Sequence, residues 1–259
     1  MTIAMLPVLV GYLIFHRQVQ SGLAAGQLRW EAQRMRDRGE GVGRRRLLRD
    51  LGTLAAGAVV ATTGGLAVPG RARAAVSDPR VYTRAEWAAR DATTTIKYLD
   101  RRPDHIVVHH TAGENTTDYS LAAAFAHSRW IQDLHLASGW GDSGQQLTIS
   151  RGGYLMEGRR YSLRAIYERQ HVSGVQTANH NDHTIGIENE GLYTTADVPA
   201  ALFTSLAVTC AWLCATYALD PFAAIVGHRD YVTTTVCPGD RLYARLPELR
   251  QRVATLVAG

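Results

Sequence analysis

Two histidines and one cysteine from three separate segments carry side chains that readily bind a metal ion. His109 lies at the end of an apolar run of β-branched residues, His228 follows the apolar run 225–227, and Cys237 comes nine residues after His228. Two imidazoles and one thiolate suit zinc, and a set of only three protein ligands leaves a fourth position for water, as in catalytic zinc sites. Histidines at strand ends are more often packed core residues, so the spacing alone leaves both interpretations open.

A β-sheet is needed to bring these three segments together. Apolar runs rich in β-branched residues predict buried strands over 105–109, 184–190 and 224–227. A hairpin is predicted over 145–157, and helices are predicted over about 118–138, 199–219 and 246–257. Strands and helices that interleave in this way predict one α/β domain over 75–259, with its core at about 80–250.

The remaining segments are predicted from turn residues and from cysteine spacing. Thr83 is a candidate N-cap for a short helix that holds Trp87, and the polar, turn-rich segment 159–183 predicts a surface loop. Cys210 and Cys214 are four residues apart and lie on one face of a predicted helix. They are predicted to be two buried small side chains, because a disulfide within one helix is geometrically awkward.

The basic charge of the chain is confined to its N-terminal third. Residues 1–74 contain 11 Arg and 4 acidic residues; subtraction from totals of 28 and 23 leaves 28 − 11 = 17 basic and 23 − 4 = 19 acidic residues in 75–259. A region with a net charge of 17 − 19 = −2 lacks the basic surface that phosphate contacts require, so we expect no nucleic-acid partner.

The N-terminal third has the layout of an export signal. Three consecutive arginines at 44–46 precede a weakly apolar run at 51–68, and Ala-Arg-Ala follows at 72–74. Paired arginines before such a run resemble a twin-arginine signal, which predicts the twin-arginine export machinery as a partner and a secreted or cell-wall location. We expect cleavage after Ala74; an uncleaved membrane anchor is the alternative. Residues 1–34 are interpreted as an over-extended gene start or as a short membrane-associated segment.

Four motifs occur in an order that carries a family resemblance. They are His-Ile-Val-Val-His-His-Thr-Ala-Gly at 105–113, Tyr-Leu-Met-Glu-Gly-Arg at 154–159, Thr-Ile-Gly-Ile-Glu-Asn-Glu-Gly at 184–191, and Gly-His-Arg-Asp at 227–230 with Cys-Pro-Gly at 237–239. Together they resemble the zinc-dependent N-acetylmuramoyl-L-alanine amidases of the type 2 amidase and peptidoglycan-recognition-protein superfamily. The resemblance implies a central mixed β-sheet flanked by helices. It also implies hydrolysis of the amide that joins N-acetylmuramic acid to L-Ala of the peptidoglycan stem.

The resemblance also implies a role for each matching residue. His109, His228 and Cys237 match the three zinc ligands of the family, and Glu188 matches a carboxylate that one branch uses as the general base. Thr235 falls where relatives place a Lys or Thr near the scissile carbonyl.

Two departures from the family pattern accompany the match. Gln145 stands where many relatives have a catalytic Tyr, although the branch that uses the Glu lacks that Tyr. The spacing from His228 to Cys237 is one residue longer than in the commonest Cys-type members, which leaves the placement of Thr235 open.

Several polar residues are candidates for contact with the substrate. By resemblance His171 lines the substrate groove. Arg159, Asn181 and Gln145 are candidate glycan or peptide contacts, as are Asn179 and Tyr154. Polar loop residues are more often simply solvated, so that alternative stays open.

Three functions are compatible with these residues. The first is an exported zinc amidase, which we expect to act as a monomer on peptidoglycan. The second is a peptidoglycan-binding module without catalysis, and the third is a zinc hydrolase that cleaves another amide. Glu188 has an alternative of its own, because it could pair with Arg159 or Arg229 and serve structure only.

Overall fold

The computed structural model describes residues 76–259. The predicted leader, its arginine motif at 44–46 and the expected cleavage after Ala74 lie outside the described residues.

A six-stranded mixed β-sheet forms the centre of the described domain. The strands are β1 (Val81–Tyr82), β2 (Tyr98–Leu99), β3 (His105–His110), β4 (Leu147–Ile149), β5 (Leu155–Glu157), β6 (His171–Val172), β7 (Thr184–Asn189) and β8 (Ile225–Gly227). The central sheet has the order β1-β5-β4-β7-β3-β8, and β2 pairs with β6 in a separate antiparallel ribbon. Only β4 and β5 are antiparallel within the central sheet, as expected for a hairpin.

Helices flank the sheet. They are α1 (Leu121–Ala137), α2 (Ser162–Tyr167), α3 (Ala200–Tyr217), α4 (Pro221–Ala224), α5 (His228–Tyr231), α6 (Asp240–Tyr243) and α7 (Leu246–Ala258). This arrangement confirms the predicted α/β fold with a central mixed sheet flanked by helices.

One face of the sheet is apolar and packs against α3 and α7. Ile106 and Val108 of β3 and Ile187 of β7 are completely buried in a cluster that also contains Leu206 of α3 and Leu249 of α7. Alternate residues of a strand point to opposite faces, so the residues between these positions face the other way. Within the described part of the chain, α3 is the one helix long and apolar enough to cross a membrane, and its packing in this core accounts for that composition.

The opposite face of the sheet is polar at its centre. His109 of β3 lies opposite Glu188 of β7, and Glu188 lies opposite Thr148 of β4. Residues paired in this way share one face of a sheet. The strand register therefore aligns His109, Glu188 and Thr148 in one row.

Two segments differ from the sequence predictions. Residues 84–88 form turns rather than a helix, and Ala88 at their end has a left-handed φ of +59°, through which an α-helix does not continue. Thr83 does donate its N–H and its hydroxyl to the Glu86 carboxylate. The predicted surface loop 159–183 contains α2 and β6, and some of its polar residues, such as His171 and Gln176, are buried, so that part of the prediction was wrong.

The cysteines of α3 agree with their prediction. Cys210 and Cys214 are both buried and neither forms a disulfide. Burial raises the pKa of Cys214 to about 12, so this thiol stays protonated and unreactive near neutral pH.

Candidate active site

The three sequence-predicted metal ligands come together at one end of the central sheet. One ligand atom from each of His109, His228 and Cys237 lies within 4.8 Å of the others. Cys237 Sγ is 3.6 Å from His109 Nδ1, and the two imidazole centroids are 4.5 Å apart. The parallel pairing of Val108 with Gly227 accounts for this, since the next residues of the two segments, His109 within β3 and His228 just after β8, are brought side by side.

Backbone groups hold the Cys237 side chain in place. The N–H of His110 donates to Cys237 Sγ at 3.4 Å, and the carbonyl of Cys237 accepts from the N–H of Arg229 at 3.1 Å. Burial raises the pKa of the Cys237 thiol to about 12, and the nearby Glu188 carboxylate acts in the same direction. A bound cation is what would stabilise the thiolate here, because an opposite charge favours the ionised form.

The two imidazoles of the cluster are uncharged near neutral pH. Burial lowers the pKa of His109 to about 3, and it also lowers the pKa of His228. A neutral imidazole retains a lone pair, which is the form that coordinates a metal ion.

The amide of Gln176, which the sequence analysis did not single out, fixes the orientation of His109. Gln176 Oε1 is 2.5 Å from His109 Nε2 and also accepts the Thr177 hydroxyl at 2.5 Å. Gln176 Nε2 donates to Thr184 Oγ1 at 2.8 Å, and the Thr184 hydroxyl in turn donates to the His180 carbonyl. This pattern makes Oε1 the atom that faces His109, so the imidazole proton is on Nε2. The lone pair of His109 Nδ1 then points toward Cys237.

A glycine in β7 makes room for Gln176. A Cβ at Gly186 would lie 2.8 Å from both Cγ and Cδ of Gln176. A glycine inside a buried strand often marks the close approach of another group. That glycine was the one sequence signal that could have pointed to a close neighbour of β7.

Glu188 stands beside the cluster and forms no salt bridge within residues 76–259. It lies opposite His109 in the register of β3 and β7 and is half-buried. Burial raises the pKa of its carboxyl group to about 8. A carboxyl group with a near-neutral pKa in a buried site is suited to proton transfer.

The structural alternative for Glu188 was wrong. Arg159 donates to the carbonyl of Ser143 at 2.8 Å, and Arg229 forms an ion pair with Asp240 at 2.8 Å. Among the described residues no salt bridge to Glu188 is formed, so its charge is not committed to holding the fold together.

Thr235 lies next to the Cys237 backbone. Its Oγ1 accepts the N–H of Cys237 at 3.2 Å, and its own N–H donates to the carbonyl of Val232. The side chain is half-buried. Because the hydroxyl oxygen is the acceptor in this bond, its O–H remains available as a donor.

Of the four predicted substrate contacts, three are buried and Asn181 is half-buried. Gln145 is completely buried and donates to Thr148 Oγ1 at 2.8 Å, while Arg159 is buried against the Ser143 carbonyl. His171 is also buried, and its Nε2 is 2.9 Å from the carbonyl of Asn181.

Asn181 in turn supports Gln176. Its Oδ1 accepts the N–H of Gln176 at 2.7 Å and the N–H of Thr177 at 3.0 Å. His171 and Asn181 therefore build the segment that positions Gln176. Contact between the substrate and His171, Asn181, Arg159 or Gln145 stays a prediction.

A family model described as N-acetylmuramoyl-L-alanine amidase matches residues 99–240, more than half of the chain. The chain belongs to this amidase family. The match includes His109, Glu188, His228 and Cys237. Comparison with curated protein sequences gave no match.

Solved structures similar to this amidase-family chain include recognition proteins and enzymes. Wild-type Drosophila PGRP-LB has 26% sequence identity and a TM-score of 0.56, covering 64% of this chain and 92% of that chain. A PGRP-LB mutant was solved in complex with tracheal cytotoxin, with the same identity and TM-score. The N-acetylmuramoyl-L-alanine amidase LysC from Clostridium intestinale URNW has 21% identity and a TM-score of 0.54, covering 68% and 99% of the two chains. These findings support a peptidoglycan-related function, as an amidase or in recognition.

Proposed function

We propose that this protein is an exported zinc amidase that hydrolyses the bond between N-acetylmuramic acid and L-Ala in peptidoglycan. The observation that carries the proposal is the convergence of His109, His228 and Cys237 beside the unpaired carboxyl group of Glu188. A metal-binding donor set next to a carboxyl group that can transfer a proton supplies the two features that metal-assisted amide hydrolysis uses.

The donor set of the cluster fits zinc. It consists of two neutral imidazoles and one thiol, and the hydrogen bond from His109 Nε2 to Gln176 leaves Nδ1 free to coordinate. When bound, zinc supplies a Lewis acid that lowers the pKa of water and polarises a carbonyl group.

Glu188 is proposed as the proton carrier of the reaction. Its carboxylate takes the proton of the attacking water and passes it to the amine of L-Ala as the amide bond breaks. A cation bound in the neighbouring cluster would lower the pKa of this carboxyl group, because the opposite charge favours the carboxylate. Glu188 would then be ready to act as a base at neutral pH.

Thr235 is proposed to stabilise the charge that develops on the substrate carbonyl oxygen. Its hydroxyl oxygen is already occupied by the N–H of Cys237, so its hydrogen is free to donate toward a ligand. A fixed donor of this kind stabilises the transition state more than the ground state.

Recognition without catalysis is the second candidate function. The similarity to recognition proteins, one of them solved with tracheal cytotoxin, favours it and supports a muropeptide as the ligand. The three converging metal donors and the carboxyl group of Glu188 favour the enzyme instead, because binding a muropeptide requires neither a metal site nor a proton carrier.

Digestion of purified peptidoglycan tests the proposal. We expect release of new N-terminal L-Ala, and we expect a chelator to abolish it. Glu188→Gln should lose about 10²–10⁴-fold in activity and keep its zinc, because only the proton carrier is removed. Cys237→Ala should lose zinc and activity together, and the exposed Glu168→Gln is the control.

The outcomes separate the three candidate functions. Binding of peptidoglycan without release of L-Ala would support a recognition module. Release of a different amine from defined muropeptides would support another hydrolase. Near-full activity of Glu188→Gln would contradict the role given to this residue.

Export through the twin-arginine machinery and cleavage after Ala74 are part of the same proposal. Mass spectrometry of the secreted protein tests them, with Ala75 expected as the first residue. We propose that the mature protein acts at the cell wall as a monomer, which light scattering would check.

A further inference from the structure

A second group of metal-binding side chains lies at the opposite end of the strand pair β3 and β7. Asp104, His105 and His183 each offer one ligand atom, and these atoms lie within 4.8 Å of one another. His105 is the first residue of β3 and His183 directly precedes β7. The N–H of Asp104 donates to the carbonyl of His183 at 2.9 Å, so the backbone fixes the distance between the two segments.

The chemistry of this group suits a divalent transition metal. Two imidazole nitrogens and one carboxylate oxygen form a donor set that binds zinc and related ions. The side chains of His105, His183 and Asp104 are 34%, 25% and 53% exposed, so an ion has access from solvent and space for water ligands.

The distances are compatible with an ion after a small movement. Asp104 Oδ1 is 2.7 Å from Nδ1 of both His105 and His183, which are hydrogen-bond distances. Ligand atoms around a tetrahedral zinc ion lie about 3.3 Å apart, so Asp104 Oδ1 must move roughly half an ångström away from each of the two imidazole nitrogens. Small side-chain rotations achieve this, because all three side chains have a solvent-facing side.

Neighbouring rings hold the group in place. His183 Nε2 is 3.0 Å from His180 Nδ1, and the ring of Tyr231 packs on His180 with a centroid distance of 4.0 Å. Tyr231 also meets His105 and His183 edge-on, at 5.9 Å and 6.1 Å. An imidazole that binds a metal through Nδ1 carries its proton on Nε2, and His180 Nδ1 is positioned to accept a hydrogen bond from this Nε2–H of His183. Partners of this kind orient metal-bound histidines.

We propose that Asp104, His105 and His183 form a second site for a divalent transition-metal ion. His105 and His109 are four residues apart in one strand, or about 13 Å, so one ion cannot serve both groups. The proposal does not depend on the proposed amidase reaction.

Zinc stoichiometry of the full-length protein tests this proposal. Equilibrium dialysis against ZnCl2 should give two bound ions for the wild type. It should give one for His228→Gln/Cys237→Ala, which removes two donors of the first cluster. Adding His105→Gln and His183→Gln to that variant should abolish the remaining binding. Adding Tyr231→Phe instead keeps the ring contacts and should leave the remaining ion bound.

Two results would overturn the proposal. One is the absence of zinc binding by the double variant, and the other is equal zinc binding by the fourfold and the double variants. The fourfold variant is checked for folding by circular dichroism. Asp104→Asn in the double variant provides a milder test, since it changes one exposed group. It should weaken zinc binding by about 10-fold or more, and unchanged affinity would again overturn the proposal.

Discussion

The contact between Gln176 and His109 shows how a neutral side chain can prepare a metal ligand. A carboxylate in the place of Gln176 would attract a second proton to the imidazole, whereas an amide oxygen accepts the Nε2 proton without adding charge. The chain of hydrogen bonds through Thr184 leaves the amide only one consistent orientation. His109 is therefore held as a neutral imidazole with Nδ1 directed toward Cys237.

Removing the Gln176 amide should weaken zinc binding. Gln176→Leu keeps much of the side-chain volume and deletes the acceptor for His109 Nε2, so we expect a 10- to 100-fold loss of zinc affinity. Competition with a chromophoric chelator measures it. Gln170→Leu is the matched control, because Gln170 belongs to the same segment and its amide bonds Asp100 instead. Equal affinities of the two variants would show that Gln176 does not orient the ligand.

At the level of elements, the sequence predicted the strands and helices that are built from apolar runs, and it failed to predict the elements whose buried residues are polar. Strands β3, β7 and β8 and helices α3 and α7 follow from runs of apolar residues. The motifs on β3 and β7 predicted His109 and Glu188, and the motif that follows β8 predicted His228. The segment 159–183 was predicted as a surface loop because it is polar. Its polar residues His171, Gln176 and Thr177 are buried with hydrogen bonds to Asn181, and hydrophobic periodicity cannot detect such pairing.

Asn181 should act on the site through the backbone of this segment. Asn181→Ala leaves the N–H groups of Gln176 and Thr177 without their acceptor, so we expect a loss of about 1–3 kcal/mol in the free energy of unfolding. Zinc affinity should fall with it, because Gln176 loses its support. Thermal unfolding and chelator competition measure the two effects.

The conservative variant separates this role from contact with substrate. Asn181→Asp retains an oxygen acceptor and should restore much of both losses. A variant that raises KM while leaving zinc affinity and stability unchanged would instead identify Asn181 as a substrate contact.

At the scale of the whole molecule, buried histidines make the stability of the domain sensitive to acid. Burial lowers the pKa of His127, His135 and His171 to about 4 in each case. Their ordinary pKa in an unfolded chain is about 6.5, so the unfolded state binds more protons as the pH falls. The stability present above pH 6.5 is therefore lost progressively between about pH 6.5 and 4.

Acidification from pH 7.5 to 5.5 should lower the free energy of unfolding by about 1 kcal/mol for each of these histidines. Denaturant unfolding in the presence of a chelator measures the total without a metal contribution. His171→Gln retains a donor for the Asn181 carbonyl and removes one titrating group, so its stability should fall less over the same range. An identical pH dependence for the variant and the wild type would contradict this assignment.

Side chains alternate between the two faces of β3, so the strand cannot lose or gain a single residue without moving every following side chain to the other face. Deleting one residue there would exchange the two faces of the strand, so that Val108 would leave the apolar core and His109 would leave the row that it shares with Glu188. Folding and chemistry would then fail in a single step. The stretch between His228 and Cys237 lies outside the strands, so the alternation of faces does not constrain its length and an added residue is tolerated there. Insertions and deletions among proteins with this domain should accordingly occur in the loops that connect its strands and helices.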